Sequence, residues 1–147
     1  MTYFRQEKNI LKFHYDAEEL WIEPWGKNSL RVRATKMAEM GQENWALEMP
    51  VEELAADIKI EENYAEIQNG KIRAVISKYG KITFYNQKGE LLLDEYLRNR
   101  IDKFADYCSA LDIEAREFKP IIGGDYQLSV RFVSDPEEKI YGMGQYQ

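Results

Sequence analysis

Alternation with a period of two runs through most of this chain and restricts its fold more than any other feature. Successive side chains of a strand point to opposite faces, so an apolar residue at every second position marks a half-buried sheet. "ILKFHY" sets Leu11, Phe13 and Tyr15 on one face, with Lys12 and His14 on the other. "LWIEPW" sets Leu20 and Ile22 against Trp21, Glu23 and Trp25. Pro24 has no N–H to give a ladder, so this strand is predicted to end there or to lie at a sheet edge. "LRVRA" turns Leu30, Val32 and Ala34 inward and Arg31 and Arg33 outward.

The same logic continues further along. "GKIRAVIS" alternates Ile72, Ala74 and Ile76 against Lys71, Arg73, Val75 and Ser77. A "YGK" turn at Gly80 leads into "ITFYN", and "QKGE" at Gly89 leads into "LLL", which predicts a three-stranded meander. "ALDIEAREF" places Leu111, Ile113 and Ala115 inside and Asp112, Glu114 and Arg116 outside. "DYQLSVRFV" aligns Tyr126, Leu128, Val130 and Phe132, and "KPIIGGD" between these two strands has the Pro and Gly-Gly of a connecting loop.

Two stretches break the pattern. Residues 35–57 read as a loop around Gly41 and Pro50, with a helical turn over 51–56. Residues 94–108 carry Leu97, Ile101, Phe104 and Cys108 at spacings that give one apolar stripe, which predicts the one helix. Eight or nine short strands with at most one or two short helices predict a mainly β fold, an antiparallel β-sandwich forming a single domain over residues 1–147.

Composition narrows the function. The balance of 20 basic and 26 acidic residues gives a formal charge of −6, which disfavours a nucleic-acid partner. The first ten residues lack the apolar core of a signal peptide, and no run of 18 apolar residues occurs, so the expectation is a cytoplasmic chain with no membrane partner. The single cysteine, Cys108, forms no internal disulfide. With His14 as the only histidine it suggests neither a zinc site nor a nucleophilic pair, and the thiol reads as neutral.

Acidic doublets are frequent: Glu18–Glu19, Glu52–Glu53, Glu61–Glu62, Asp94–Glu95 and Glu137–Glu138. General acid–base work needs two carboxylates converging across a cleft, whereas strand neighbours diverge, so each doublet reads as turn or surface charge. There is no GxSxG elbow, Walker loop or HExxH, and "GMG" at 142–144 lacks the third glycine and following helix of a phosphate fingerprint. Trp21 and Trp25 project from one side of a strand beside Glu23. They read either as a platform on which a sugar ring stacks or as core or interface packing.

Three stretches carry a resemblance. "LWIEPWGKNSLRVRAT" (20–35), "NGKIRAVISKYGKITFYNQKGELLLDE" (69–95) and "FKPIIGGDYQLSVRFVSDPEEKIYGMGQYQ" (118–147) together resemble the N-terminal region of glycoside hydrolase family 31. The likeness is to bacterial α-xylosidases and α-glucosidases, with "FYN-x-KGE-x-LL" and "EK-x-YGMGQYQ" as its most specific parts.

The resemblance implies a sandwich similar to the galactose-mutarotase fold, packed against a (β/α)8 barrel whose two aspartates hydrolyse α-linked sugars with retention. No barrel is present in this sequence, so the resemblance assigns no catalytic residue here and calls for no cofactor. It implies a catalytic barrel of the same parent chain as partner, and an α-linked oligosaccharide as the ligand of the intact enzyme. The closing "YGMGQYQ", uncharged and glycine-rich, reads as a passage inside a longer chain. There Gln145 is placed to hydrogen-bond a sugar hydroxyl and Tyr146 to stack on a ring, with interdomain packing as the alternative. Without its barrel the domain would expose apolar surface and be open to forming a homo-oligomer. A free-standing carbohydrate-binding or interaction module using Trp21 and Trp25 is the alternative reading of the whole chain.

Overall fold

The computed structural model describes residues 3–44, 47–48, 55–99 and 111–139, and the described residues form eleven strands and no helix. These are β1 (Phe4–Glu7), β2 (Ile10–Tyr15), β3 (Glu18–Pro24), β4 (Leu30–Thr35), β5 (Asp57–Ile60), β6 (Tyr64–Asn69), β7 (Ile72–Ser77), β8 (Ile82–Asn86), β9 (Leu91–Asp94), β10 (Arg116–Ile121) and β11 (Asp125–Val130). All pair antiparallel, in a four-stranded sheet β1-β2-β3-β4, a five-stranded sheet β5-β6-β7-β8-β9 and a hairpin β10-β11. Every neighbour in a sheet is also a neighbour in sequence, so the chain builds each layer as a meander.

The alternation accounts for the core. Phe4, Leu11, Phe13, Leu20 and Ile22 of the first sheet pack on Ala65, Ile67, Ala74, Ile76 and Ile82 of the second, all buried. Each large side chain among them contributes about 2 kcal/mol by leaving water. Pro24 closes β3, paired with Leu30, as a residue without an amide proton requires. Both expected turns are present, with Gly80 and Gly89 at positive φ.

Side chains seal one end of the sandwich. Asn69, buried at the end of β6, donates from Nδ2 to the carbonyls of Gly26 and Ser29, each at 2.7 Å. Asn28 Oδ1 accepts from the Lys71 amide at 2.9 Å. Gly70 sits in that junction at φ 58°, where a Cβ would overlap the Lys27 carbonyl and the Asn28 side chain, so only glycine fits.

Three readings are corrected. Residues 94–99 are extended, not helical: Asp94 ends β9, and Glu95 and Arg98 pair across to Phe132 and Ile113. The backbone groups a helix would have used go sideways instead, with Tyr96 N donating to Arg131 O at 2.8 Å and Val133 N to Asp94 O at 2.8 Å. The rest of that stretch, Cys108 included, lies outside the described residues, as does most of the turn expected at 51–56.

The strand expected from Ala110 onward begins only at Arg116, and Arg116 points inward rather than outward, 3% exposed beside the buried Ala115. "KPIIGGD" is not a separate loop: its first residues belong to β10, and Ile122 to Gly124 form the tip of a hairpin. β1, β5 and β6 complete the sheets beyond the strands expected from sequence.

Candidate functional site

The outward face of β3 holds the tryptophans. Register places Lys12 of β2 and Arg33 of β4 on either side of Trp21, and Arg31 beside Glu23. Lys12 Nζ lies 4.0 Å from the Trp21 ring centroid and the Arg33 guanidinium carbon 5.0 Å from it. β2 and β4 flank β3, so the two cations approach the indole from opposite sides. Arg31 lies 4.6 Å from the centroid of Trp25.

Charge is threaded through this ladder. Arg33 Nη2 donates to Glu23 Oε2 at 3.2 Å, Arg33 Nε faces Glu23 Oε1 at 2.9 Å, and Arg31 Nε stands 3.6 Å away. Lys12 Nζ donates to Glu7 Oε2 at 2.7 Å. That hydrogen bond and the charge of Lys12 hold the Glu7 carboxyl below the usual range. Lys12 is 5% exposed and Glu23 9%, although both point away from the core, because the aromatic and guanidinium planes close over them. Cations stand against Trp21 from two strands and against Trp25 from one, an arrangement that favours packing over a platform.

Beside it, Glu19 accepts from Arg5 Nη2 at 2.7 Å and Trp21 Nε1 at 2.9 Å, with His14 Nδ1 at 3.3 Å. A hollow of about 610 Å³ opens here, bounded by the segment after β4, which Arg33 Nη1 holds through the Gly41 carbonyl at 2.8 Å.

Two of the four described acidic doublets, Glu18–Glu19 and Asp94–Glu95, divide as strand geometry requires, and the buried Glu95 corrects its reading as surface charge, while Glu61–Glu62 and Glu137–Glu138 are exposed throughout. Glu18 turns in to Arg116 Nε at 2.5 Å while Glu19 turns out. Asp94 takes Lys81 Nζ and Thr83 Oγ1, each at 2.8 Å, while Glu95 turns in to Arg116 Nη1 at 2.5 Å and accepts the Ile82 amide at 2.8 Å. Arg116 also donates from Nη2 to the Gly80 carbonyl at 2.5 Å. One guanidinium therefore joins the start of β3, the β7–β8 turn, the strand leaving β9 and the root of β10.

Burial pushes the Glu95 carboxyl above its usual range, against the pull of Arg116. Burial opposes the charge of Arg116 too, but Glu95 and Glu18 outweigh it and raise its pKa. This cluster is enclosed and internally satisfied, so it holds elements together and has no room for a substrate.

The open end of the sandwich has different chemistry. Tyr3, Tyr15 and Tyr79 share a hollow of about 630 Å³ with Asn63, Lys78 and Asp112. The Tyr3 and Tyr15 rings stand 5.9 Å apart, tilted by 46°, and Lys78 Nζ donates to Asn63 Oδ1 at 2.9 Å. Aromatic faces beside amide and carboxylate groups are the set that holds a polyol. Sequence reasoning did not single out this group, because its members come from five separated segments; the high tyrosine count was the one signal. Gln145 and Tyr146 lie outside the described residues. No cluster of three or more metal-ligating side chains occurs among the described residues. No helix among them is long and apolar enough to cross a membrane.

No family model matches the chain. A protein of Pseudescherichia vulneris described as an uncharacterised family 31 glucosidase is 44% identical over 155 aligned positions, covering all of this chain and 29% of its own length. The crystal structure of a GH31 α-xylosidase from a soil metagenome, complexed with xylose, superposes with a TM-score of 0.90 at 46% identity, over 98% of this chain and 22% of that one.

Along its whole length the chain is similar to the N-terminal domain of these glycoside hydrolase family 31 proteins. A second GH31 α-xylosidase structure, from Xanthomonas citri, shares the fold at a TM-score of 0.71 and 22% identity, over 97% of this chain and 15% of that one. The chain thus spans less than a third of the family 31 proteins it matches, and the sandwich described above is the part it has in common with them.

Proposed function

We propose that this chain is the single, non-catalytic N-terminal domain of a retaining α-glycosidase of the α-xylosidase or α-glucosidase kind. In this reading a downstream (β/α)8 barrel hydrolyses the α-linked sugar, and the sandwich supports that barrel and helps to shape its substrate entrance. The observation that carries the reading is one of extent: the match runs through the whole chain, yet accounts for only 22–29% of the closely similar relatives. The interior supports it, since the described buried carboxylates are engaged by Arg116 and Arg33 rather than facing each other across a cleft.

Gln145 and Tyr146 are assigned to the sugar, as hydrogen-bonding and stacking groups at the handover to the barrel. The test is turnover of aryl α-xyloside and α-glucoside by this chain and by the parent polypeptide. Activity confined to the parent is expected, and activity in the chain alone would overturn the reading. In the parent, Gln145→Ala is expected to raise KM about tenfold, the value of one well-placed hydrogen bond of about 1.4 kcal/mol.

A further inference from the structure

Asn69 is the one asparagine in the sequence that is followed by glycine. In a free chain that pair is chemically unstable. The Gly70 nitrogen, with no side chain to hinder it, attacks Asn69 Cγ and forms a new N–C bond that closes a five-membered succinimide. The Cγ–Nδ2 bond breaks, and the amide proton of Gly70 departs with the ammonia. Water then adds to one of the two ring carbonyls and opens the ring to aspartate or isoaspartate, with no change of oxidation state.

The fold opposes each step. The nitrogen that would leave is the donor that seals the sandwich, 2.7 Å from the Gly26 and Ser29 carbonyls, and Asn69 is 2% exposed. Ring closure must bring the Gly70 nitrogen round to the Cβ side of Asn69. That rotation leaves the extended backbone that Asn69 adopts as the last residue of β6, paired with Ile72. Gly70 fits so closely against the Lys27 carbonyl and the Asn28 side chain that it has no room even for a Cβ, and Asn28 Oδ1 also holds the Lys71 amide at 2.9 Å. Attack therefore requires the β6–β7 turn to part from the loop between β3 and β4.

The product no longer fits the place it came from. Aspartate sets a carboxylate, with no proton to donate, against two carbonyl oxygens in a buried junction. Isoaspartate does the same and also lengthens the backbone by one carbon where β6 turns into β7. We propose that Asn69–Gly70 is a deamidation site that the native fold keeps closed and unfolding opens, and that its conversion makes prolonged unfolding one-way. All the parts of this device lie in the chain itself, so it stands apart from the parent-enzyme reading.

The first test incubates the native chain and a synthetic peptide of residues 64–77 in one neutral buffer, and reads the mass gain at Asn69 by peptide mapping. Conversion in the chain is expected to be slower by about tenfold or more, and equal rates would overturn the proposal.

The second test holds the chain in guanidinium with a thiol reductant, which keeps Cys108 reduced, and then dilutes it to refold. It is run at neutral pH and in mild acid, where the Gly70 amide stays protonated and does not attack. The refolded yield is expected to fall with time at neutral pH and to hold in acid, with the mass gain concentrated in the molecules that fail to refold. A modified chain that refolds as fully as the unmodified one would overturn the one-way step. So would an equal loss of yield in acid with Asn69 intact.

Discussion

Arg116 shows how one residue can carry long-range order. Its guanidinium meets Glu18, Glu95 and the Gly80 carbonyl, which come from turns and strands far apart in sequence. Arg116→Ala leaves two carboxylates buried without their cation, which is expected to cost about 3–5 kcal/mol, a larger loss than the pair itself contributes. Urea unfolding of the chain measures it, and a loss below about 1 kcal/mol would mean that the cluster is dispensable.

Glu95 adds a pH dependence with a definite sign. Its folded pKa is raised above the ordinary 4.5, with burial as the leading cause, so the native state holds that proton more tightly than the unfolded chain. The stability linked to it is complete below about pH 4.5 and is lost as pH rises through the folded pKa. Glu95→Gln keeps an acceptor for the Ile82 amide and removes the titration. The unfolding free energy of wild type minus that of Glu95→Gln is expected to fall between pH 4.5 and neutrality, and a difference that grows with pH would contradict the raised value. Sequence placed Arg116 outside, because alternation carried back from its neighbours says nothing of two carboxylates waiting 21 and 98 residues away.

Elements were legible where one face met the core and turn chemistry marked the ends. β2, β3, β4, β7 and β8 follow directly from the alternation, with Pro24, Gly80 and Gly89 as punctuation. Residues 94–99 were misread because Leu97 and its successors satisfy a helical spacing, while the partners that hold them extended, Ile113 and 131–133, arrive later in the chain. The tryptophans were placed on the correct face, but their role depended on β2 and β4, which one strand's pattern does not contain. With Lys12 and Arg33 against Trp21 and Arg31 against Trp25, both indoles already have cation partners that a sugar ring would have to displace or share. Titrating xylose or glucose to millimolar levels into a Trp45→Phe background is therefore expected to leave tryptophan fluorescence unchanged. A saturable quench would restore the platform reading.

At the scale of the molecule, the charged and apolar surfaces have been given different work. The outward face of the first sheet is closed by interlocked cations, carboxylates and indoles, which leaves little apolar area to attract a partner. The hairpin does the opposite, holding Leu128, Val130 and Phe132 in the open while Arg116 anchors its root. A fixed root with exposed apolar side chains alongside it suits a part that must be held still against something large. A chain presenting that face without its cover should find the next best one, which is another copy of itself. Sedimentation of the 147-residue chain is accordingly expected to show mass rising with concentration. Leu128→Lys, which puts a charge in the middle of the row, is expected to return it towards the monomer without lowering its unfolding midpoint. Association that Leu128→Lys leaves intact would move the sticky surface elsewhere on the sandwich, and a chain that stays monomeric at every concentration would show that this face is content in water.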